Sequence, residues 1–302
     1  MANRDAGKIA LLAAFLGNTS ITCLKSVAAW VTGSTAMMAE AIHSLADATN
    51  QVLLYVGMRR SERPADSKHP FGYGKESYFW AFLVSIMIFA GGATYSMYEG
   101  IHRLIDPVES QGSRTWAYAV LSGSILFEAA ACYFAMKAFQ QDAAGRGIWE
   151  TVKRAKDPVL FTVLFEDLAA LAGLVIALLG IGLADVTNNS RFDAGATVTI
   201  GVLLAFVAIT LGKKIHSLLL GEGADRDLVL SINQILDSSP HIQETLELRT
   251  LQMGPASIFV MAELRMQTKE SIEQVATILE NIERQIEALN PGIKKVYLEP
   301  EP

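Results

Sequence analysis

The sequence predicts an α-helical integral membrane protein: six spanning helices followed by a small cytoplasmic α+β domain. Three observations predict it. Hydrophobic residues make up 51% of the 302, with a mean hydropathy of +0.30, too apolar for an ordinary soluble chain that still carries 19% charged residues. Six apolar stretches approach the roughly 20 residues that a spanning helix needs. The charge is also segregated. Up to Lys213, 17 basic residues balance 17 acidic ones, whereas beyond it 8 face 14, so the whole net charge of -6 lies in the tail.

The apolar stretches lie at 9–31, 35–56, 78–101, 116–138, 159–183 and 194–211. They define a membrane domain over 1–213 and a cytoplasmic domain over 214–302. The first run is too long and wrongly flanked for a cleaved leader and is expected to stay as a span. Alternate connections carry most of the basic residues: Arg4 and Lys8; Arg59, Arg60, Arg63, Lys68 and Lys75; Lys137, Arg146, Lys153, Arg154 and Lys156; then Lys213 and Lys214. Cytoplasmic loops are enriched in Lys and Arg, so both termini are expected on the cytoplasmic side. Gly91 and Gly92 in the third span mark close helix packing.

The tail reads as α-β-β-α-β. Apolar residues recur at helical spacing in 225–236 and, more strongly, in 271–289, where Asn290-Pro291-Gly292 ends the pattern. Segments 247–253 and 258–266 alternate as strands around Gly254-Pro255, and 295–298 gives a last strand. So small a sheet predicts burial of one face on a second copy of the chain, hence a homodimer. The acidic tail argues against nucleic acid as a partner. Cys23 and Cys132, the only cysteines, both fall in apolar runs, which excludes a disulfide framework. There is no nucleophile–base–oxyanion set and no phosphate-binding glycine loop, so an enzyme is not expected, nor a prosthetic group.

Chemistry concentrates where the spans are interrupted. Glu40, His43, Asp47 and Asn50 are spaced by three, four and three residues and share one side of the second span. In the fifth, Glu166 and Asp167 lie about two turns inside an apolar run without a basic residue. A carboxylate at the centre of a spanning helix costs about 2.5–3.5 kcal/mol on insertion scales. Two readings are open. His43 and Asp47 form a structural pair, or His43, Asp47 and Asp167 share a divalent cation, a ligand mixture that first-row metals accept. Glu166 points about 100° from Asp167 and reads as a supporting or proton-carrying group. Glu99 and Glu128, in the third and fourth spans, either line a water-filled path or pair between helices, and pairing is the reading put first.

Longer motifs narrow the choice. Gly33-Ser-Thr-Ala-Met-Met-Ala-Glu-Ala-Ile-His43-Ser-Leu-Ala-Asp47-Ala-Thr-Asn-Gln51, the loop His69-Pro-Phe-Gly-Tyr-Gly-Lys-Glu76, and Tyr98-Glu-Gly-Ile-His-Arg-Leu-Ile-Asp-Pro107 resemble the cation diffusion facilitator family along nearly the full chain. The Phe-Glu-Asp-Leu-Ala-Ala segment is closest to the branch of the animal mitochondrial zinc transporter. The resemblance implies six membrane helices, a metallochaperone-like cytoplasmic domain, a homodimer, and a transport site built from [H/D]xxxD on the second helix and HxxxD on the fifth. The first pair maps onto His43 and Asp47 and the second Asp onto Asp167. The remaining position holds Val163, which cannot ligate. A loop site maps onto Asp66 and His69, with Tyr73 where a third imidazole is expected, and Lys75 with Glu222 maps onto an intersubunit charge pair.

The expectation is a proton-coupled antiporter that exports Zn²⁺ from the cytosol and sits in the inner membrane of a bacterial cell. One rival keeps the fold and moves Mn²⁺, Fe²⁺ or Co²⁺. A second is a membrane-anchored regulatory or scaffold subunit that transports nothing.

Overall fold

The computed structural model describes residues 35–107, 114–143, 147–267 and 271–301, preceded by helical positions 15–17, 19–20, 22–23 and 26–27; over 35–43 it describes the helical backbone alone. The first expected span, 9–31, lies mostly outside the described residues. The chain forms two units, one of Phe79–Ile215 with the residues up to Met58, the other of Arg59–Tyr78 with His216–Pro302.

Long helices dominate the first unit. They are α1 (Thr35–Ser61), α2 (Glu76–Ile105), α3 (Arg114–Ala143), α5 (Pro158–Thr187) and α6 (Arg191–Leu220), with the short α4 (Ile148–Arg154) before α5. Among the described residues, four segments are long and apolar enough to cross a membrane: Glu76–Ile105, Tyr118–Gln140, Pro158–Thr187 and Arg191–Leu220. Each helix outruns its apolar stretch, because the added turns carry groups such as Arg59, Arg60 and Glu76 that hydropathy rejects but helices accept. Large apolar side chains project outward, among them Leu126, Tyr133, Leu179, Val202 and Phe206. Water does not tolerate such a surface, and lipid does. Threonine hydroxyls on these helices donate back to carbonyls four residues earlier, as Thr197 does to Asp193 and Thr210 to Phe206, which keeps them satisfied without water.

Start and stop signals of α5 are local. Asp157 accepts from the Val159 N–H at 3.0 Å, Pro158 occupies the first turn, and Asn188 closes the far end with φ 49°. Glu166 and Asp167 therefore stand about 12–14 Å along the helix. α2 widens into a π turn at Ile88–Ala93, where the Thr94 hydroxyl donates to the Phe89 carbonyl five residues back. Of the adjacent pair, Gly92 packs closely and Gly91 does not. A Cβ on Gly91 would meet nothing within 4 Å, and one on Gly92 only the Leu204 side chain at 3.1 Å. The backbones of α2 and α6 approach at Gly100 and Gly201, where a Cβ would lie 2.7 Å from Val198 N and 2.8 Å from Met97 N.

The second unit holds α7 (Arg226–Ser238), β1 (Ile242–Gly254), β2 (Ser257–Met266), α8 (Ile272–Leu289) and β3 (Ile293–Glu301). The sheet order is β1-β2-β3, antiparallel between β1 and β2 and parallel between β2 and β3, with α8 as the crossover. Ile232, Leu236, Val260, Leu264, Ile282, Ile286 and Val296 form its core. A capping box opens α8, with Ser271 N–H donating to Gln274 Oε1 and Gln274 N–H to Ser271 Oγ. The edge strands exceed their expected lengths. In β1, register shifts between Ile242/Glu244 and Thr245/Glu247 break the alternation, and β3 accommodates Pro300 at a sheet edge.

Segment 59–78 is built into this unit. Gly74 lies so close to Met253 and Gly254 that a Cβ on it would collide with the Met253 carbonyl. Phe71 meets Phe259 edge-on with centroids 5.4 Å apart, and the Lys75 ammonium donates to the Leu219 carbonyl at 3.0 Å, in the last turn of α6.

Gly201→Ala should destabilise the protein by about 1–3 kcal/mol, since rigid backbone faces the new methyl. Gly123→Ala, with nothing within 4 Å, should be neutral or stabilising by up to roughly 1 kcal/mol. Thermal denaturation of the two variants in detergent checks this, and equal melting temperatures would refute the close approach of α2 and α6.

Candidate metal transport site

Helix α1 presents Asp47, Asn50 and Gln51 to the interior. Asp47 is half-buried, whereas Asn50 and Gln51 are buried. Glu40 and His43 lie on the same helix, and their side chains fall outside the described residues. Helix α5 contributes Glu166 and Asp167, the latter only 4% exposed, with Val163 and Thr162 buried one turn earlier.

One hydrogen bond ties the two helices: Asn50 Nδ2 donates to Glu166 Oε1 at 3.1 Å. Glu166 thus turns toward α1 rather than away from it, and it has the supporting contact its angular offset from Asp167 left open. Asp47 lies within electrostatic range of both Glu166 and Asp167, and Glu128 of α3 lies within range of Asp167. From sequence alone Glu128 reads as an interhelical pairing group. Its signal was a carboxylate in an apolar run, at a depth no spacing rule revealed.

Several polar atoms here are buried without a hydrogen-bond partner: Asp167 Oδ2, Asn50 Oδ1, Gln51 Oε1 and Thr162 Oγ1. Such atoms cost about 1–3 kcal/mol each, more when charged, unless an ion or water meets them. Among the described residues, no three His, Cys, Asp or Glu side chains converge closely enough to hold an ion. The arrangement is an open set of oxygen donors.

Asp66 is fully engaged within the loop, whereas His69 Nδ1 is buried without a hydrogen-bond partner. Asp66 Oδ1 accepts from the backbone N–H of Lys68 at 2.9 Å and of His69 at 2.7 Å, and Oδ2 accepts from the Tyr73 hydroxyl at 2.7 Å. His69 Nδ1 is 3.6 Å from Asp66 Oδ1, and its ring centroid is 4.2 Å from that of Tyr73. A metal held by Asp66 and His69 would have to displace that phenol. Lys75 is occupied by the Leu219 carbonyl, while the Glu222 carbonyl accepts from Gln252 N at 2.8 Å.

A family model described as the cation efflux transmembrane domain matches residues 11–220. The chain is 31% identical over 261 residues to the mouse (Mus musculus) mitochondrial proton-coupled zinc antiporter SLC30A9, covering 85% of this chain and 46% of that protein. It is 30% identical over 249 residues to metal tolerance protein C4 of Arabidopsis thaliana, covering 82% and 54%. It is 28% identical over 295 residues to the cation-efflux pump FieF of Cronobacter sakazakii, covering 96% and 92%. The chain spans about half the length of the first two relatives.

The Tyr73 hydroxyl first, and then the His69 N–H, hold the Asp66 carboxyl below its ordinary range. The folded-state value is depressed, so the loop is stabilised while Asp66 is ionised and loses that contribution as pH falls through the lowered value. Tyr73→Phe should move the Asp66 midpoint up toward the ordinary carboxylate range, as read from its carboxyl carbon resonance. An unchanged midpoint would show that the phenol does not set it.

Proposed function

This chain belongs to the cation efflux family of metal transporters, and from that premise we propose that it exchanges a divalent cation, Zn²⁺ in the first instance, for protons. The cation is bound from the cytosol by His43, Asp47 and Asp167. Glu166 and Asn50 support that set and Glu40 lies on its approach. The observation that carries the reading is Asp167: a carboxylate 4% exposed, with one oxygen unbonded, beside a second helix that brings Asp47 within electrostatic range.

Metal binding requires a neutral imidazole and ionised carboxylates, so loading releases protons and protonation expels the ion. Exchange follows from that competition. The distribution of basic residues supports six spans with both termini in the cytoplasm. The near full-length match to a bacterial efflux pump supports an inner-membrane location. The small acidic domain supports a homodimer, with Lys75 and Glu222 as the pair to test across it.

Val163 favours a second reading of the substrate. It is buried one turn before Asp167, where a nitrogen donor would complete the set, and leaves carboxylates and amides in the majority. Oxygen-rich donor sets suit Mn²⁺, Fe²⁺ and Co²⁺ better than imidazole-rich ones do.

Reconstituted vesicles with an imposed pH gradient test both. Asp47→Ala with Asp167→Ala should abolish metal uptake and the accompanying proton movement. Unchanged flux would leave the chain a membrane-anchored regulatory or scaffold subunit. In a competition panel Val163→His should shift preference toward Zn²⁺, whereas a panel identical to wild type would remove Val163 from the selectivity argument.

A further inference from the structure

Two buried polar side chains, each one turn from a carboxylate, have no part in the preceding reading. Gln51 on α1 is 2% exposed and Thr162 on α5 is 0% exposed, yet Gln51 Oε1 and Thr162 Oγ1 have no hydrogen-bond partner. Thr162 departs from its kind. Thr49, Thr187, Thr197, Thr199 and Thr210 each donate to the carbonyl four residues earlier. That bond is open to a helical threonine, and Thr162, four residues after Pro158, does not make it.

Position ties both groups to the candidate site. Gln51 follows Asp47 by one turn on α1, and Thr162 precedes Glu166 by one turn on the face of α5 that meets α1 through the 3.1 Å bond between Asn50 and Glu166. α1 continues from Gln51 to Arg59 and Arg60, and α5 begins at Pro158, just after Lys153, Arg154 and Lys156. Each group thus lies about 6 Å from its carboxylate along the helix, toward the basic end.

We propose that Gln51 and Thr162 form, with Asn50 Oδ1, a neutral oxygen subsite that receives the divalent cation with part of its water shell before His43, Asp47 and Asp167 bind it. The proposal rests on the metal-transport reading and deepens it. Amide and hydroxyl oxygens accept hydrogens from metal-bound water and bring no charge, so they hold the ion loosely enough to pass it on. Such a subsite touches the water shell rather than the ion. Choice between Zn²⁺ and Mn²⁺ is therefore left to the direct ligands.

Substitutions that keep the shape and remove the polar atom test this in reconstituted vesicles. Thr162→Val and Gln51→Leu should each raise KM for uptake roughly threefold or more, equally for Zn²⁺ and Mn²⁺, with kcat little changed. Their melting temperatures without metal should hold or rise, because an unbonded buried oxygen has gone. Thr162→Ser, which keeps the hydroxyl, should retain the wild-type KM. An unchanged KM in Thr162→Val and Gln51→Leu overturns the subsite while the transport reading stands. So does a raised KM that comes with a lower melting temperature and persists in Thr162→Ser, since that marks a packing role. Wild-type vesicles that move no metal overturn the transport reading and the subsite with it.

Discussion

The structure depends on the cost of keeping carboxylates in an apolar interior. Asp47 of α1 lies within electrostatic range of Glu166 and Asp167 of α5, and Glu128 of α3 lies within range of Asp167. Coulomb repulsion between such groups grows as the local dielectric falls. The Asn50–Glu166 hydrogen bond satisfies one oxygen and leaves Asp167 Oδ2 and Asn50 Oδ1 with unmet demand. Unmet demand at this depth is a standing invitation to cations, and it separates a binding arrangement from a merely satisfied polar network.

Most of the architecture was legible in the sequence because length and apolarity constrain a membrane helix tightly. Helix ends were less so. Arg59, Arg60 and Glu76 extend helices past the apolar window, and only a cap such as Asp157-Pro158 marks an end locally. In the tail, the central strand β2 and helix α8 carried clear periodicity, whereas the edges of β1 and β3 did not, since an edge residue need not be apolar.

The candidate site was legible as a set of residues and only partly as an arrangement. Spacing sets Asp47 and Asn50 on one side of α1, and the 100° offset between Glu166 and Asp167 leaves open which neighbouring helix Glu166 meets. Adjacent residues on one helix can face two different neighbours, and α1 is the neighbour Glu166 found. Glu128 was visible as a letter, but its depth relative to Asp167 is set by how α3 registers against α5. No single-helix pattern encodes that register. Gly100 and Gly201 show the same limit, because the backbone-to-backbone approach there has no sign in the sequence beyond two separate glycines.

The seating of segment 59–78 bears on how the tail is handled as an object. Gly74 fits against the β1–β2 hairpin turn and Phe71 covers Phe259, so the second unit's fold is completed by residues drawn from far upstream. A fragment that starts at His216 would present a bare aromatic ring and an uncovered turn to water. Its solubility and self-association would then report the missing patch rather than the behaviour of the intact chain.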